Sequence, residues 1–181
     1  MSPAAATART EVPIQAELYW IADPALGPGR LATAPRPRGG DWLKDEIASF
    51  QRQGVDVVVS ALTAAEEREL DLEGERSACA AAGLHFVSLP IADRGVPADR
   101  VAFVTRMEEL AALVRDGRAV LVHCRQGIGR ASILVAGVLA ALGLAMGDAF
   151  DRIAAARGRP VPDTPEQRAW LVAALAGRTH R

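Results

Sequence analysis

Cys124 and Arg130 stand at the two ends of a glycine-rich turn in "VLVHCRQGIGRAS", residues 120–132, and this pairing is where the chain points to chemistry. Gly127 and Gly129 let backbone N–H groups converge on one point, which makes a nest for an anion, and the apolar run that begins at Arg130 supplies a helix N-terminus to the same point. Phosphate fits such a nest. So does a thiolate, because amide dipoles and a nearby cation stabilise it, and a cysteine that ionises readily is a nucleophile. Arg130 lies on the first turn of the following helix, where its planar fork can hold two phosphate oxygens at once. The bland alternative is an inert buried cysteine in a strand-to-helix turn, with a solvated arginine at the helix start.

Attack by a thiolate on a phosphate ester expels an alkoxide that needs a proton, and a carboxylic acid on a neighbouring loop can supply it. Asp93 in "PIADRGVP", residues 90–97, lies just past an expected strand and so on the same rim as Cys124. A turn aspartate bonding its own backbone is the competing reading, since Asp often stands in turns before Gly. Asp99 reads instead as a helix-start residue.

These residues need a scaffold, and the pattern along the chain supplies one. Val12 to Ile21 alternate as a half-buried strand would, and "RLATAP" gives a second strand broken by Pro35 and Pro37. Asp41 is the expected N-cap of a helix from Trp42 to Gln53, ended at Gly54. "VDVVVSAL" at 55–62 is apolar throughout, as in a strand covered on both faces. Thr63 and Glu66 form a capping box for a helical stretch that resumes near Ser77 and stops at Gly83. "LHFVSLPI" at 84–91 is the next strand. Asp99 to Asp116 is a helix whose Val101, Val104, Leu110 and Leu113 are expected to point one way. "AVLVHC" is a further strand, and helices follow from Arg130, over about 147–157 and over about 165–176. Strands alternating with helices predict a single α/β domain with a central, mostly parallel sheet flanked by helices. In such sheets ligands sit beyond the carboxyl ends of the strands, which is where the Cys124 turn falls. The expected limits are a flexible tail at 1–10, the domain at 11–177 and a short C-terminal tail at 178–181.

Composition narrows the function classes. The chain has 181 residues, half of them hydrophobic and 24% charged, enough apolar surface for one folded domain. A net charge of -1 supplies no summed field for nucleic acid or an anionic membrane, so neither is an expected partner. The apolar stretch from Ala131 to Gly147 falls short of the ~20 residues that span a bilayer. Cys79 and Cys124 are too few for a disulfide framework, and a cytoplasmic monomer is the expectation. Cys79 falls on an alanine-rich helical face and is expected in the core, while His85 is expected to be structural. No His, Cys and Asp cluster has metal-ligand spacing, so no metal or cofactor is expected.

"VHCRQGIGRAS" resembles the signature loop His-Cys-x-x-Gly-x-x-Arg-Ser/Thr of the protein tyrosine phosphatase superfamily. The short chain is similar to its dual-specificity branch, in particular the kinase-associated-phosphatase-like proteins. The resemblance implies the cysteine-phosphatase fold, with Cys124 as the nucleophile that forms a phosphocysteine, Arg130 as phosphate ligand and His123 orienting the loop and tuning the thiol. Arg125, Gln126, Gly127, Ile128 and Gly129 complete the phosphate-binding loop. Asp93-Arg94-Gly95-Val96-Pro97 resembles the family's general-acid loop Trp-Pro-Asp-x-Gly-x-Pro, with Ile91 and Ala92 in place of Trp-Pro. "PDTPEQ" at 162–167 resembles the glutamine loop that positions the attacking water. It makes Gln167 a candidate for that role and puts Asp163 where the loop's first glutamine stands. Thr164 to Gln167 also reads as a capping box with Pro at the first helical position.

The resemblance departs at Ala131, where the family has Ser or Thr whose hydroxyl stabilises the departing thiolate. A slower second step is expected. Ser132 is rotated by about 100° on a helix and is no simple substitute. The implied activity is hydrolysis of phosphotyrosine in phosphoproteins or phosphopeptides, with phosphoserine and phosphothreonine as further substrates. The rival readings are a catalytically weak phosphate-binding module, a phosphoinositide phosphatase favoured by Arg125 but not by the apolar Ile128, and a rhodanese-type sulfurtransferase.

Overall fold

The computed structural model describes residues 15–176; the tails expected at 1–10 and 178–181, the start of the first expected strand and His180 lie outside the described residues. Five strands form one sheet in the order β1-β2-β5-β3-β4. They are β1 (Tyr19–Trp20), β2 (Arg30–Pro35), β3 (Val57–Ser60), β4 (His85–Ser88) and β5 (Ala119–Cys124). Only β1 runs antiparallel to its neighbour, and β2, β5, β3 and β4 are mutually parallel. The expected mostly parallel α/β sheet is therefore present. The strands are shorter than the apolar runs suggested: 57–60 rather than 55–62 and 85–88 rather than 84–91. Apolar side chains continue into the loops because both faces of the sheet are covered there, so hydrophobicity outlasts the ladder.

Helices α1 (Leu43–Arg52), α2 (Ala64–Glu69), α3 (Glu75–Ala81), α4 (Arg100–Arg115), α5 (Arg130–Ala141), α6 (Met146–Arg157) and α7 (Pro165–Leu175) complete the domain. Leu43, Ile47 and Phe50 of α1 and Cys79 of α3 pack with Val58 and Leu121 on one face. The opposite face buries α4, α5, α6 and α7 against Val57, Val59, Val120 and Val122. No helix among the described residues is long and apolar enough to cross a membrane.

Two local expectations are corrected. Asp41 is not the N-cap of α1; it lies inside a short 3-10 turn, Gly40–Trp42, that leads into the helix without a side-chain cap. In α4 the buried face is Phe103, Met107, Leu110, Ala111 and Val114, while Val101 is 76% exposed and Val104 and Leu113 are only partly covered. Apolar residues occupy more than one side of α4, so periodicity does not choose between faces. Close packing does: a Cβ at Gly137 of α5 would fall 2.7 Å from Met107 Cγ and from Phe103 Cζ, so α5 admits that face by having no side chain there. Asp99 caps α4 as expected, its Oδ1 accepting from the N–H groups of Val101 and Ala102.

The parallel register aligns the carboxyl ends of the strands. Pro35 stands opposite Cys124, and Ser60 stands opposite both His123 and Ser88. The loops leaving β2, β3, β4 and β5 therefore converge on one rim.

Candidate active site

Cys124 ends β5 and is 3% exposed, and the Gly127 N–H donates to its Sγ at 3.2 Å. The turn that makes this possible needs glycine. Gly127 has φ +70°, and a Cβ there would fall 2.3 Å from the Ala34 carbonyl oxygen of the neighbouring strand. Thr33 Oγ1 donates to the Gly127 carbonyl at 3.1 Å, and Arg157 of α6 donates to the Gln126 carbonyl at 3.1 Å while stacking 3.7 Å over the Tyr19 ring. His123, fully buried beneath the loop, has Nε2 2.9 Å from Glu75 Oε1, itself buried in α3. The loop is thus held from three sides before any ligand enters.

Arg130 is buried at the first position of α5, and Glu66 of α2 grips the end of its guanidinium. Nη1 donates to Glu66 Oε2 at 2.7 Å and Nη2 to Oε1 at 2.8 Å, a bidentate pair. Nη1 also donates to the Ile91 carbonyl at 2.8 Å and Nη2 to Asp93 Oδ1 at 3.1 Å. The four terminal N–H groups are then matched by four acceptors, which leaves Nε–H. The Arg130 hydrogen bonds hold the Glu66 carboxyl at about 2, well below the carboxylate range and against the opposing effect of its burial. Burial works against the Arg130 charge, but Glu66, Cys124 and Asp93 outweigh it and raise the net affinity of the guanidinium for its proton.

Asp93, Arg94, Cys124, Arg125, Gln126, Arg130 and Asp163 line one cleft of about 340 Å³. The structure thus brings Asp93 together with Cys124, Arg125, Gln126 and Arg130, while His123, Gly127, Ile128, Gly129 and Gln167 do not line this cleft. Arg125, at the mouth, is paired with Glu69 through Nη1 at 3.2 Å and Nη2 at 2.9 Å, and its Nε lies 3.4 Å from Glu66. Gln167 is fully buried in the first turn of α7. Its side chain completes a capping box with Thr164, and Nε2 donates to the Gly95 carbonyl at 3.1 Å. Asp163 packs so closely on Gly129 that a Cβ there would fall 2.2 Å from its Oδ2. Ala131 and Ser132 are fully buried.

The second cysteine is separate from the cleft. Cys79 is buried in the core on the opposite face of the sheet, and burial pushes its thiol up to about 12. Its expected core placement is borne out.

Sequence reasoning found Glu66 only as a capping residue and missed Glu75, Arg157 and Glu69. Glu66 performs both jobs: Oε2 also accepts from the Thr63 N–H at 3.0 Å. The capping-box signal placed its side chain at the start of α2, but only the sheet order places that helix beside Arg130.

A mostly parallel α/β sheet thus carries a Cys-x5-Arg turn at the carboxyl end of its central strand, beside a carboxylate-bearing loop. Residues 32–144 match the family model described as "Polymorphic toxin system, DSP-PTPase phosphatase", and the chain belongs to that family. The solved structures agree on the fold. Kinase associated phosphatase, with serine replacing its catalytic cysteine, superposes with a TM-score of 0.78 at 19% identity, over 92% of this chain and 99% of that one. Tk-PTP in its active form gives 0.67 at 24% identity, covering 83% and 94%. PTPMT1 gives 0.63 at 20% identity, covering 86% and 93%, and it has also been solved in complex with PI(5)P. No curated protein matches the chain by sequence.

Proposed function

We propose that this phosphatase hydrolyses phosphate monoesters on phosphotyrosine, and on phosphoserine and phosphothreonine, in proteins through a phosphocysteine. The observation that carries the reading is the shared cleft, which Cys124, Arg130 and Asp93 line together, with Arg130 Nη2 3.1 Å from Asp93 Oδ1. In the first step the Cys124 thiolate attacks phosphorus, the S–P bond forms, the ester P–O bond breaks, and the proton of Asp93 goes to the departing oxygen. In the second, water attacks phosphorus and gives a proton to Asp93, the S–P bond breaks, and phosphate leaves with the thiolate restored. The loop amides and Arg130 hold the equatorial oxygens throughout.

The geometry of Arg130 adds a condition. Glu66 occupies the end of the guanidinium, so phosphate meets the Nε/Nη2 edge, where Asp93 holds one N–H. Binding of the dianion therefore replaces the Asp93 bond to Nη2 and turns that carboxyl toward the bound ester. Glu66 keeps the fork in plane while this happens. Arg125, the residue that could favour a second phosphate, already has Glu69 and Glu66 as partners. That pairing favours phosphoproteins over phosphoinositides. The fully buried, apolar Ala131 favours a second reading, a slow enzyme that captures phosphate and releases it poorly.

Steady-state and burst release of product from an aryl phosphate, for wild type and Cys124→Ser, tests the reading. Loss of turnover in the variant is expected, with a burst in wild type. A folded wild type that binds vanadate tightly without turnover would favour the capture module, and turnover that survives Cys124→Ser would end the cysteine mechanism.

A further inference from the structure

We propose that Gln167 is the latch of the acid loop, a positioning residue that holds Asp93 where it meets the ester oxygen. The inference rests on the phosphatase reading above and adds a residue to it. The loop from Ile91 to Pro97 lacks the Trp-Pro pair that opens the family's acid loop, so other bonds must fix it. At its start, the Ile91 N–H donates to the Ala61 carbonyl at 3.1 Å and the Ile91 carbonyl accepts from Arg130. At the turn, Arg94 takes φ +55° and the Gly95 N–H donates back to the Ala92 carbonyl at 2.8 Å. These three bonds bracket Asp93 but leave the Gly95 carbonyl to be met from α7. The Gln167 Nε2 bond to the Gly95 carbonyl closes that side.

Gln167 is suited to this task because its own position is fixed twice. Its Oε1 accepts from the Thr164 N–H at 3.3 Å and its backbone N–H donates to Thr164 Oγ1 at 3.2 Å, so the capping box sets the side-chain direction. Helix α7 is in turn anchored on α4: Trp170 packs edge-on to Phe103 with ring centroids 5.0 Å apart, and Arg100 Nε donates to the Ala174 carbonyl at 2.8 Å. The latch therefore connects Asp93 to the rigid core. Two residues before Gly95, Asp93 Oδ1 accepts from Arg130 Nη2, the bond that substrate displaces. Once it is displaced, the carboxyl depends on the backbone bonds of its loop for position, and the Gly95 bond is the nearest of these on the C-terminal side. These bonds use one N–H and one lone pair of the Gln167 amide, and the residue is fully buried.

A proton donor matters most when the leaving group is a poor one, and this separates a latch from a mere helix cap. Gln167→Glu retains the capping acceptor for Thr164 N–H but has no N–H for the Gly95 carbonyl. Thr164→Ala removes the cap hydroxyl and leaves the Gly95 bond. The measurement is kcat for an alkyl phosphate divided by kcat for a nitrophenyl phosphate, together with hydrogen exchange of the backbone amides at 92–96. For Gln167→Glu the ratio is expected to fall about tenfold, a fraction of a full general-acid contribution, and the loop amides to exchange faster. Thr164→Ala should change neither, while lowering stability. Wild-type ratio and exchange in Gln167→Glu, or an equal fall in Thr164→Ala, would overturn the latch. Wild type without Cys124-dependent turnover would bring down the phosphatase reading instead, and the exchange of the loop amides would still decide whether Gln167 holds Gly95.

Discussion

The phosphate loop and the acid loop meet in one cleft but are built differently. Cys124, Gly127, Ile128, Gly129 and Arg130 are buried, hydrogen bonds from β2 and α6 reach the loop, and Glu75 of α3 stands 2.9 Å from His123 at its base. Ala92, Asp93 and Arg94 are exposed, the Asp93 side chain by 64%, and that loop hangs on a few hydrogen bonds. The anion site is a preformed part of the core, so it costs little reorganisation when substrate arrives. The carboxyl proposed as proton donor is a surface group whose placement is decided by single contacts. Changes to the first loop should therefore abolish binding and weaken the fold together. Changes to the second should alter the proton step and leave the fold alone.

Gly127→Ala breaks this contrast most severely. Its Cβ would overlap the Ala34 carbonyl at a φ that side chains avoid. We expect turnover to fall by about 10³-fold or more, as nest donors are lost, and stability to fall by at least ~2 kcal/mol. Kinetics and urea unfolding measure the two. An active, stable variant would show that the nest is not preformed by that contact.

Asp93→Ala is the surface counterpart. Turnover is expected to drop by roughly 10²-fold to 10³-fold, because no acid remains to protonate the departing oxygen. Vanadate should bind more tightly, since Nη2 of Arg130 is released. Unfolding should be nearly unchanged. Weaker vanadate binding would contradict the displacement described for Asp93.

Glu66→Gln probes the base of the fork. We expect about a tenfold loss in kcat/KM from a less constrained guanidinium. The carboxyl is held at about 2 in the fold against an ordinary 4.5. A group depressed in this way stabilises fully above about pH 4.5 and loses its contribution as pH falls toward 2. The variant should thus be less stable at neutral pH by the order of 3 kcal/mol, and the gap should close in acid. A gap that is unchanged across that range would mean that the carboxylate charge is not what stabilises the pair.

The smallest effect is expected for Ala131→Ser, which restores the hydroxyl the family has at this position. Breakdown of the phosphoenzyme should speed up several-fold, roughly 1 kcal/mol of barrier, and any burst should shrink. An unchanged burst would place the slow step elsewhere.

The same contrast explains what the sequence revealed. The phosphate loop is local: its cysteine, glycines and arginine lie within seven consecutive residues, so spacing alone exposed it. Asp93 was legible because its turn residues follow a strand. Glu66, Glu75 and Arg157 were not, because each meets the loop only after the sheet order is set, and a charged residue near a helix end reads as a solvated cap or surface group. The α4 face failed for a related reason: its packing is chosen by a glycine on another helix, not by its own periodicity. Gln167 carried two signals at once, a capping box and a motif, and its side chain satisfies the first while reaching the acid loop.

The central claim is that Cys124 takes the phosphoryl group. Rapid quenching of wild type with an aryl phosphate or a phosphotyrosine peptide, followed by mass spectrometry of the peptide that contains Cys124, tests it directly. The account predicts one added phosphoryl group on that peptide, formed before steady state and absent from Cys124→Ser. Steady release of phosphate from wild type with no adduct on Cys124 at any quench time, or turnover undiminished in Cys124→Ser, would contradict it.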